Sequence, residues 1–174
     1  DGVRLKDGTL LEADIVVTAT GLKLAVAGKI DLALDGSPLD LSQHFYYKGC
    51  MFSNVPNLAV VFGYLNASWT LRADLNSEFV CRVLNAMDRA DADLATPVLT
   101  KAAEAQIEED DIFDFSSGYI QRSRSIMPKS AVEYPWRLNQ DYREDRRIMQ
   151  NSPVDDGILT LSKAQVSDEL QAAE

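Results

Sequence analysis

The chain has two cysteines, one histidine and fewer basic than acidic side chains, and each shortage excludes a class of chemistry. Cys50 and Cys81 are too few for a structural zinc site, and neither belongs to a C-x-x-C pair. Cys81 falls inside a helical pattern beside Phe79 and Val80, where a small buried hydrophobe is expected, so both thiols read as inert. With His44 alone, a metal site would have to be built from carboxylates, and a Ser-His-Asp arrangement would rest on one imidazole. A loop or internally satisfied histidine is expected instead. The 17 Lys and Arg stand against 27 Asp and Glu, and the net charge of -10 would repel a phosphate backbone, which argues against a nucleic-acid binder. No apolar run approaches the roughly 20 residues of a membrane span, and no signal-peptide pattern opens the chain, so the cytoplasm is the simplest location.

What remains is a globular profile, 46% hydrophobic and 25% charged over 174 residues, enough for one ordinary core or two small ones. The most informative stretch is 57–84, NLAVVFGYLNASWTLRADLNSEFVCRVL. Residues 58–62 form an apolar run of strand length, as for a strand buried on both faces, and Gly63 then permits a backbone path that side chains would forbid. Asn66 and Ser68 suit an N-cap. From Trp69 onward, Leu71, Leu75, Phe79, Val83 and Met87 recur at a spacing that lines one helix face. The unpaired amides of the first turn and the helix dipole favour an electron-rich group in front of them, although any βα unit of a parallel sheet shares this layout.

The chain opens on Val3 and Leu5 alternating with polar residues, a hairpin turn at Lys6-Asp7-Gly8-Thr9, Leu11, and then a predicted buried strand at 13–18 that ends at Ala19-Thr20-Gly21. Three strands alone make a marginal sheet with unpaired edges, so neighbouring strands are expected from elsewhere, and self-association is expected without them. Residues 29–41 predict a hairpin around Asp35-Gly36-Ser37-Pro38, and 94–109 a second helix capped near Thr96-Pro97. The acidic run 108–111 reads as the solvated end of that helix. From 119 to 149 the charge reverses, with Arg122, Arg124, Lys129, Arg137, Arg143, Arg146 and Arg147 outnumbering the acids. Such a strip can pair with the protein's own acidic surface or meet a cofactor phosphate. Tyr134-Pro135-Trp136 predicts a fixed aromatic bend, and 167–174 is small and polar enough to fray.

Taken in order, these segments resemble one family. ADIVVTATG at 13–21 looks like the linker strand of flavoproteins with two dinucleotide-binding domains, in which an A-T-G segment closes the NADPH domain and leads back toward FAD. GYLNASWTLRADL at 63–75 is similar to the region that follows it in flavin-containing and Baeyer-Villiger monooxygenases. The stretch 116–149, which contains P-W-R-L, and DDGILTLS at 155–162 resemble the C-terminal segment of the Baeyer-Villiger group that includes ethionamide-activating enzymes.

The resemblance implies an α/β fold, the C-terminal fragment of such a flavoprotein, with mixed strands and an FAD-facing helix. It implies the end of the NADPH-binding domain and its linker over 1–22, the returning part of the FAD-binding domain over 23–112, and a C-terminal extension over 113–174. The cofactors would be FAD and NADPH. The partners would be a small-molecule substrate and the missing N-terminal regions that bind both cofactors. The reaction would insert one oxygen atom from O2 into a ketone through a peroxyflavin. Alternatives are a flavoprotein N- or S-oxygenase, or a non-catalytic binding or interaction domain. By the same resemblance Thr20 and Gly21 let backbone pass the cofactor, while Asn66, Ser68, Trp69, Thr70 and Leu71 lie at the pyrimidine edge of the flavin, where Trp69 either packs near the ring or fills core. There is no G-x-G-x-x-G, the family's Phe-Gly and His-Trp fingerprint is absent, and His44 sits in QHFYYKG. No catalytic residue is therefore assigned, and the chain by itself is expected to be inactive.

Overall fold

Turn chemistry sets the first half of the chain. The computed structural model describes residues 1–111 and 118–164. Asp7 accepts a hydrogen bond from the Thr9 amide at 2.9 Å, and the turn joins β1 (Gly2–Arg4) to β2 (Leu10–Glu12) in antiparallel register. Asp35 and Gly36 both take positive φ, the geometry of a two-residue hairpin turn, and connect β3 (Ala33–Leu34) to β4 (Ser37–Pro38). A third hairpin, β5 (Tyr46–Tyr47) with β6 (Met51–Phe52), is fully buried and turns through Lys48 and Gly49, again at positive φ.

The run at 13–18 forms no strand among the described residues, and Ile15 and Val17 are each 81% exposed. Residues 58–62 likewise join no sheet, though the Val60 amide bonds the Cys50 carbonyl at 2.8 Å. Both segments have strand sequences, but a strand needs a partner edge for its amides and carbonyls, and none is supplied to them here. The described strands form four two-stranded antiparallel ribbons, so the mixed helix-and-strand class holds in its coarse form.

The predicted helix is present as α1 (Trp69–Ala90). Its inner face buries Leu75, Phe79 and Val83 at the expected three- and four-residue spacing, with Leu71 and Met87 half-buried at its ends. Cys81 is exposed, not buried as its apolar neighbours implied, because two residues past Phe79 is about 200° around the helix from the core face. Cys50 is the buried thiol, and burial pushes its pKa up to about 12. His44 is satisfied internally, with Nδ1 2.6 Å from the Ser53 carbonyl oxygen.

The expected helix over 94–109 divides. Residues Leu94–Pro97 form β7, which pairs antiparallel with β8 (Leu159–Ser162), and only α2 (Lys101–Glu104) is helical, capped by Thr100 through the Ala103 amide. The alternating burial of β7 exposes the reason: Ala95 and Pro97 enter the core, and a helix there would turn one of them out. After α3 (Gly118–Ser123) and a buried strap containing Trp136 and Leu138 comes α4 (Tyr142–Asn151). Asp141 caps it by accepting from the Arg143 and Glu144 amides, and it packs against α1. The Tyr134–Pro135 peptide bond is cis.

One core cluster gathers the inner face of α1, the β5–β6 hairpin, Trp136, Met149 and the β7–β8 ribbon. A second, around Tyr46, Phe52, Phe62, Ile120, Met127 and Leu138, lies beneath the approach to α1. Among the described residues no helix is long and apolar enough to cross a membrane, and no group of three or more His, Cys, Asp or Glu is placed to hold a metal. The 112/113 boundary and the segment 167–174 lie outside the described residues.

Candidate functional site

The start of α1 is built around a glycine that cannot be replaced in place. A Cβ on Gly63 would stand 2.2 Å from the Trp69 ring, so the indole lies directly on the glycine backbone. Phe62 flanks it with ring centroids 5.2 Å apart, while the other side of Trp69 leaves it 52% exposed. Trp69 thus roofs the turn rather than filling the core. Ser68 occupies the N-cap position, yet its hydroxyl makes no cap bond and meets the Thr70 hydroxyl at 2.8 Å. No acidic residue occupies the first turn, and the Leu71 amide reaches only the Ser68 carbonyl at 3.3 Å. An uncapped, exposed N-terminus of a 22-residue helix therefore presents amides and a positive dipole end to whatever stands before it.

Immediately behind that terminus the packing becomes ionic. Arg72 is 1% exposed, its Nη2 lies 2.9 Å from Asp145 Oδ2 on α4, and the same nitrogen donates to the Asn139 carbonyl. The guanidinium sits 4.2 Å from the Tyr64 ring centre, and the Tyr64 hydroxyl donates to Asp145 Oδ2 at 2.6 Å. Burial raises the Asp145 pKa, against the lowering pull of Arg72 and Tyr64. A parallel arrangement stands deeper along α1: Lys48 Nζ and the Tyr47 hydroxyl both reach Asp156 Oδ2, at 2.9 and 2.6 Å, with Lys48 over the Phe79 ring.

The residues singled out from sequence fall in two places. Asn66 and Ala67 border an open groove of about 790 Å³ whose other wall is Arg137 to Arg143, including Gln140, which accepts from the Leu65 amide at 2.8 Å. Thr20 and Gly21 border a separate groove of about 570 Å³ with Leu22, Lys23, Arg122 and Ile126. The two share no lining residue. The basic strip partly pairs with the acidic run, Lys129 with Glu109 at 3.4 Å and Arg124 with Asp111, while Arg137 and Arg143 face the first groove. Arg72 and Asp145 were not foreseen as part of the site.

Comparison with known proteins gives this geometry a context. A protein named probable FAD-binding monooxygenase AlmA, from an Acinetobacter species, is 42% identical over 164 residues, which are 94% of this chain and 32% of AlmA. The FAD-containing monooxygenase EthA of Mycobacterium tuberculosis is 44% identical over 162 residues, 93% of this chain and 32% of EthA. The chain is homologous to part of the FAD-containing monooxygenases. It spans about a third of the length of these curated relatives, as a C-terminal portion of such a monooxygenase would. No family model and no solved structure matches it.

The donor set fits one part of a flavin. Free amides at the start of α1, with the Ser68 and Thr70 hydroxyls beside them and a glycine that lets the chain come close, suit the electron-rich pyrimidine edge of the ring. They do not amount to a pyrophosphate site, for which a monooxygenase of this kind needs glycine-rich turns that this sequence lacks.

Proposed function

We propose that this chain is the C-terminal portion of an FAD- and NADPH-dependent monooxygenase that inserts one oxygen atom from O2 into a ketone. The observation that carries the proposal is the uncapped, exposed N-terminus of α1 behind Gly63, in a chain whose relatives are named FAD-containing monooxygenases. In this reading residues 1–22 end the NADPH-binding domain, 23–112 complete the FAD-binding domain, and 113–174 form a C-terminal extension. A cytoplasmic location accompanies it.

A bound flavin would supply the redox chemistry, in which hydride from NADPH reduces O2 so that one oxygen atom goes to the substrate and the other leaves as water. The residues of this chain bind and orient. The free amides of Trp69 and Thr70, with the Leu71 amide held only by the Ser68 carbonyl, would meet the pyrimidine edge and favour its negative charge on reduction, with Asn66, Ser68 and Thr70 as polar neighbours. Trp69, held on Gly63, covers the turn and keeps water from its inner side. Thr20 and Gly21 carry the linker past the cofactor with little side-chain bulk.

The test is the complete protein, purified and supplied with NADPH, O2 and a set of ketones, amines and sulfides. Bound FAD, NADPH consumption and formation of an ester or lactone are expected. Oxidation of amines or sulfides with ketones returned unchanged would replace the ketone reading with an N- or S-oxygenase, and a protein that binds no flavin would remove both.

A further inference from the structure

Four elements besides α1 itself meet at the Arg72 guanidinium. Tyr64 comes from the approach to α1 and Arg72 from its first turn, Asn139 and Asp145 come from the C-terminal strap and α4, and Gly49 comes from the β5–β6 loop. The fit at Gly49 is tight enough that a Cβ would fall 2.4 Å from Nη1. One turn further along α1, Asn76 donates to the Gly49 carbonyl at 3.3 Å.

A buried ion pair is poor evidence for stability, because desolvation offsets most of the attraction and apolar side chains would fill the space as well. It does fix direction, since a planar guanidinium with a carboxylate, a carbonyl and a ring around it tolerates little rotation. The first turn of α1 has no such anchor of its own, as Ser68 provides no side-chain cap and the core contacts of the helix begin at Leu75. Docking of the C-terminal segment does not require Arg72 either, because Asp156 already holds that segment through Lys48 and Tyr47.

We propose that Arg72 and Asp145 are positioning residues, through which the C-terminal strap and α4 set the direction of the free α1 N-terminus and hence the amides offered to the flavin. The proposal rests on the flavin-facing reading of that terminus. It makes the C-terminal segment a determinant of flavin affinity and potential without touching the ring.

The experiment uses the full-length protein in three forms: Asp145→Asn, the double variant Arg72→Met with Asp145→Leu, and Asp156→Asn as the control. The double variant removes both charges together and so leaves no unpaired ion in the core. Two measurements are made, amide hydrogen exchange over 72–76 without FAD present, and FAD affinity with the visible spectrum and reduction potential of the bound flavin. Asp145→Asn, which leaves Arg72 unpaired, should exchange at least about tenfold faster over 72–76, and both Asp145 variants should weaken FAD binding with a shifted potential. Asp156→Asn should leave all of these at wild-type values even where its Tm falls equally. Unchanged exchange over 72–76, or an equal response from Asp156→Asn, overturns the proposal. Faster exchange with an unmoved flavin overturns the coupling to the cofactor. A wild-type protein that binds no FAD defeats the functional reading itself, while the exchange data still decide whether Asp145 holds the helix.

Discussion

Ser68 stands at the head of α1 and declines to cap it, which leaves open a stabilisation that most helices use. Replacing it with Asp supplies a cap acceptor and a negative charge at the positive helix end. We expect Ser68→Asp to raise the stability of the protein by about 0.5–1 kcal/mol, read from urea unfolding. In the complete enzyme the same carboxylate would oppose negative charge on the reduced flavin and lower its potential by roughly 20 mV per kcal/mol of repulsion. A variant that gains stability and keeps the potential would show that these amides do not face the flavin. Buried Asp145 and half-buried Asp156 make a second residue-scale case. Burial works against the charged form of Asp156, but bonds from Tyr47, the Leu159 amide and Lys48 outweigh it and hold its pKa below the ordinary value. A carboxyl lowered in the folded state adds stability above its unfolded pKa and loses it as pH falls through the folded value. Asp145, raised chiefly by burial, takes up its proton earlier in the folded than in the unfolded chain, so its titration adds stability on acidification. Unfolding free energies measured between about pH 5 and 2 should therefore fall less steeply for Asp156→Asn than for wild type, and more steeply for Asp145→Asn. The reverse order would contradict both assignments.

At the scale of elements, stability is concentrated on α1, whose inner face joins the β5–β6 hairpin, the β7–β8 ribbon and α4. Phe79 is its centre, packed 6.2 Å from the Tyr47 ring and beneath the Lys48 ammonium. Truncation to Ala removes those contacts and leaves a cavity under a buried charge, so Phe79→Ala should lose about 3–5 kcal/mol in chemical denaturation. A loss under 1 kcal/mol would mean that the packing around it is loose. This helix and the hairpins at 6–9 and 35–36 were legible in the sequence because their signals are local: a repeat within one element, or two turn residues that prefer positive φ. The β7–β8 pairing was not, since it joins Leu94 to Ser162 across most of the second half, while Thr96-Pro97 imitates a helix start. α4 was hidden for a different reason. Half of its sequence YREDRRIMQN is charged, and the side chains that dock it, Asp145 and Met149, include a carboxylate that periodicity assigns to solvent. In the candidate site, Gly63 and Asn66 to Leu71 stood out from the strand-glycine-helix layout. Arg72 did not, because a charged side chain in an amphipathic helix is ordinarily on its wet face.

For the whole molecule, the segments that failed to become strands are the informative ones. Residues 13–18 leave Ile15 and Val17 in solvent, the run at 58–62 leaves Val61 half-exposed, and Leu84 is exposed on the outer side of α1. Leu58, Ala59, Val80 and Leu84 border an apolar groove of about 260 Å³ between that run and the helix. Strand sequences without partner edges, and the apolar groove beside 58–59, are sites that further chain can cover, and this chain spans about a third of its relatives' length. If the remainder of a monooxygenase supplies that covering, the chain expressed alone should self-associate through it. Sedimentation velocity across a concentration series should then show reversible or open-ended association. Ile15→Lys with Val17→Lys should reduce that association without lowering Tm, because neither side chain packs against the fold. Supplying the preceding polypeptide should suppress it by occupying the same edges. A wild-type chain that stays monomeric at every concentration would mean that these strips need no partner, and the case for a severed sheet would fall with it.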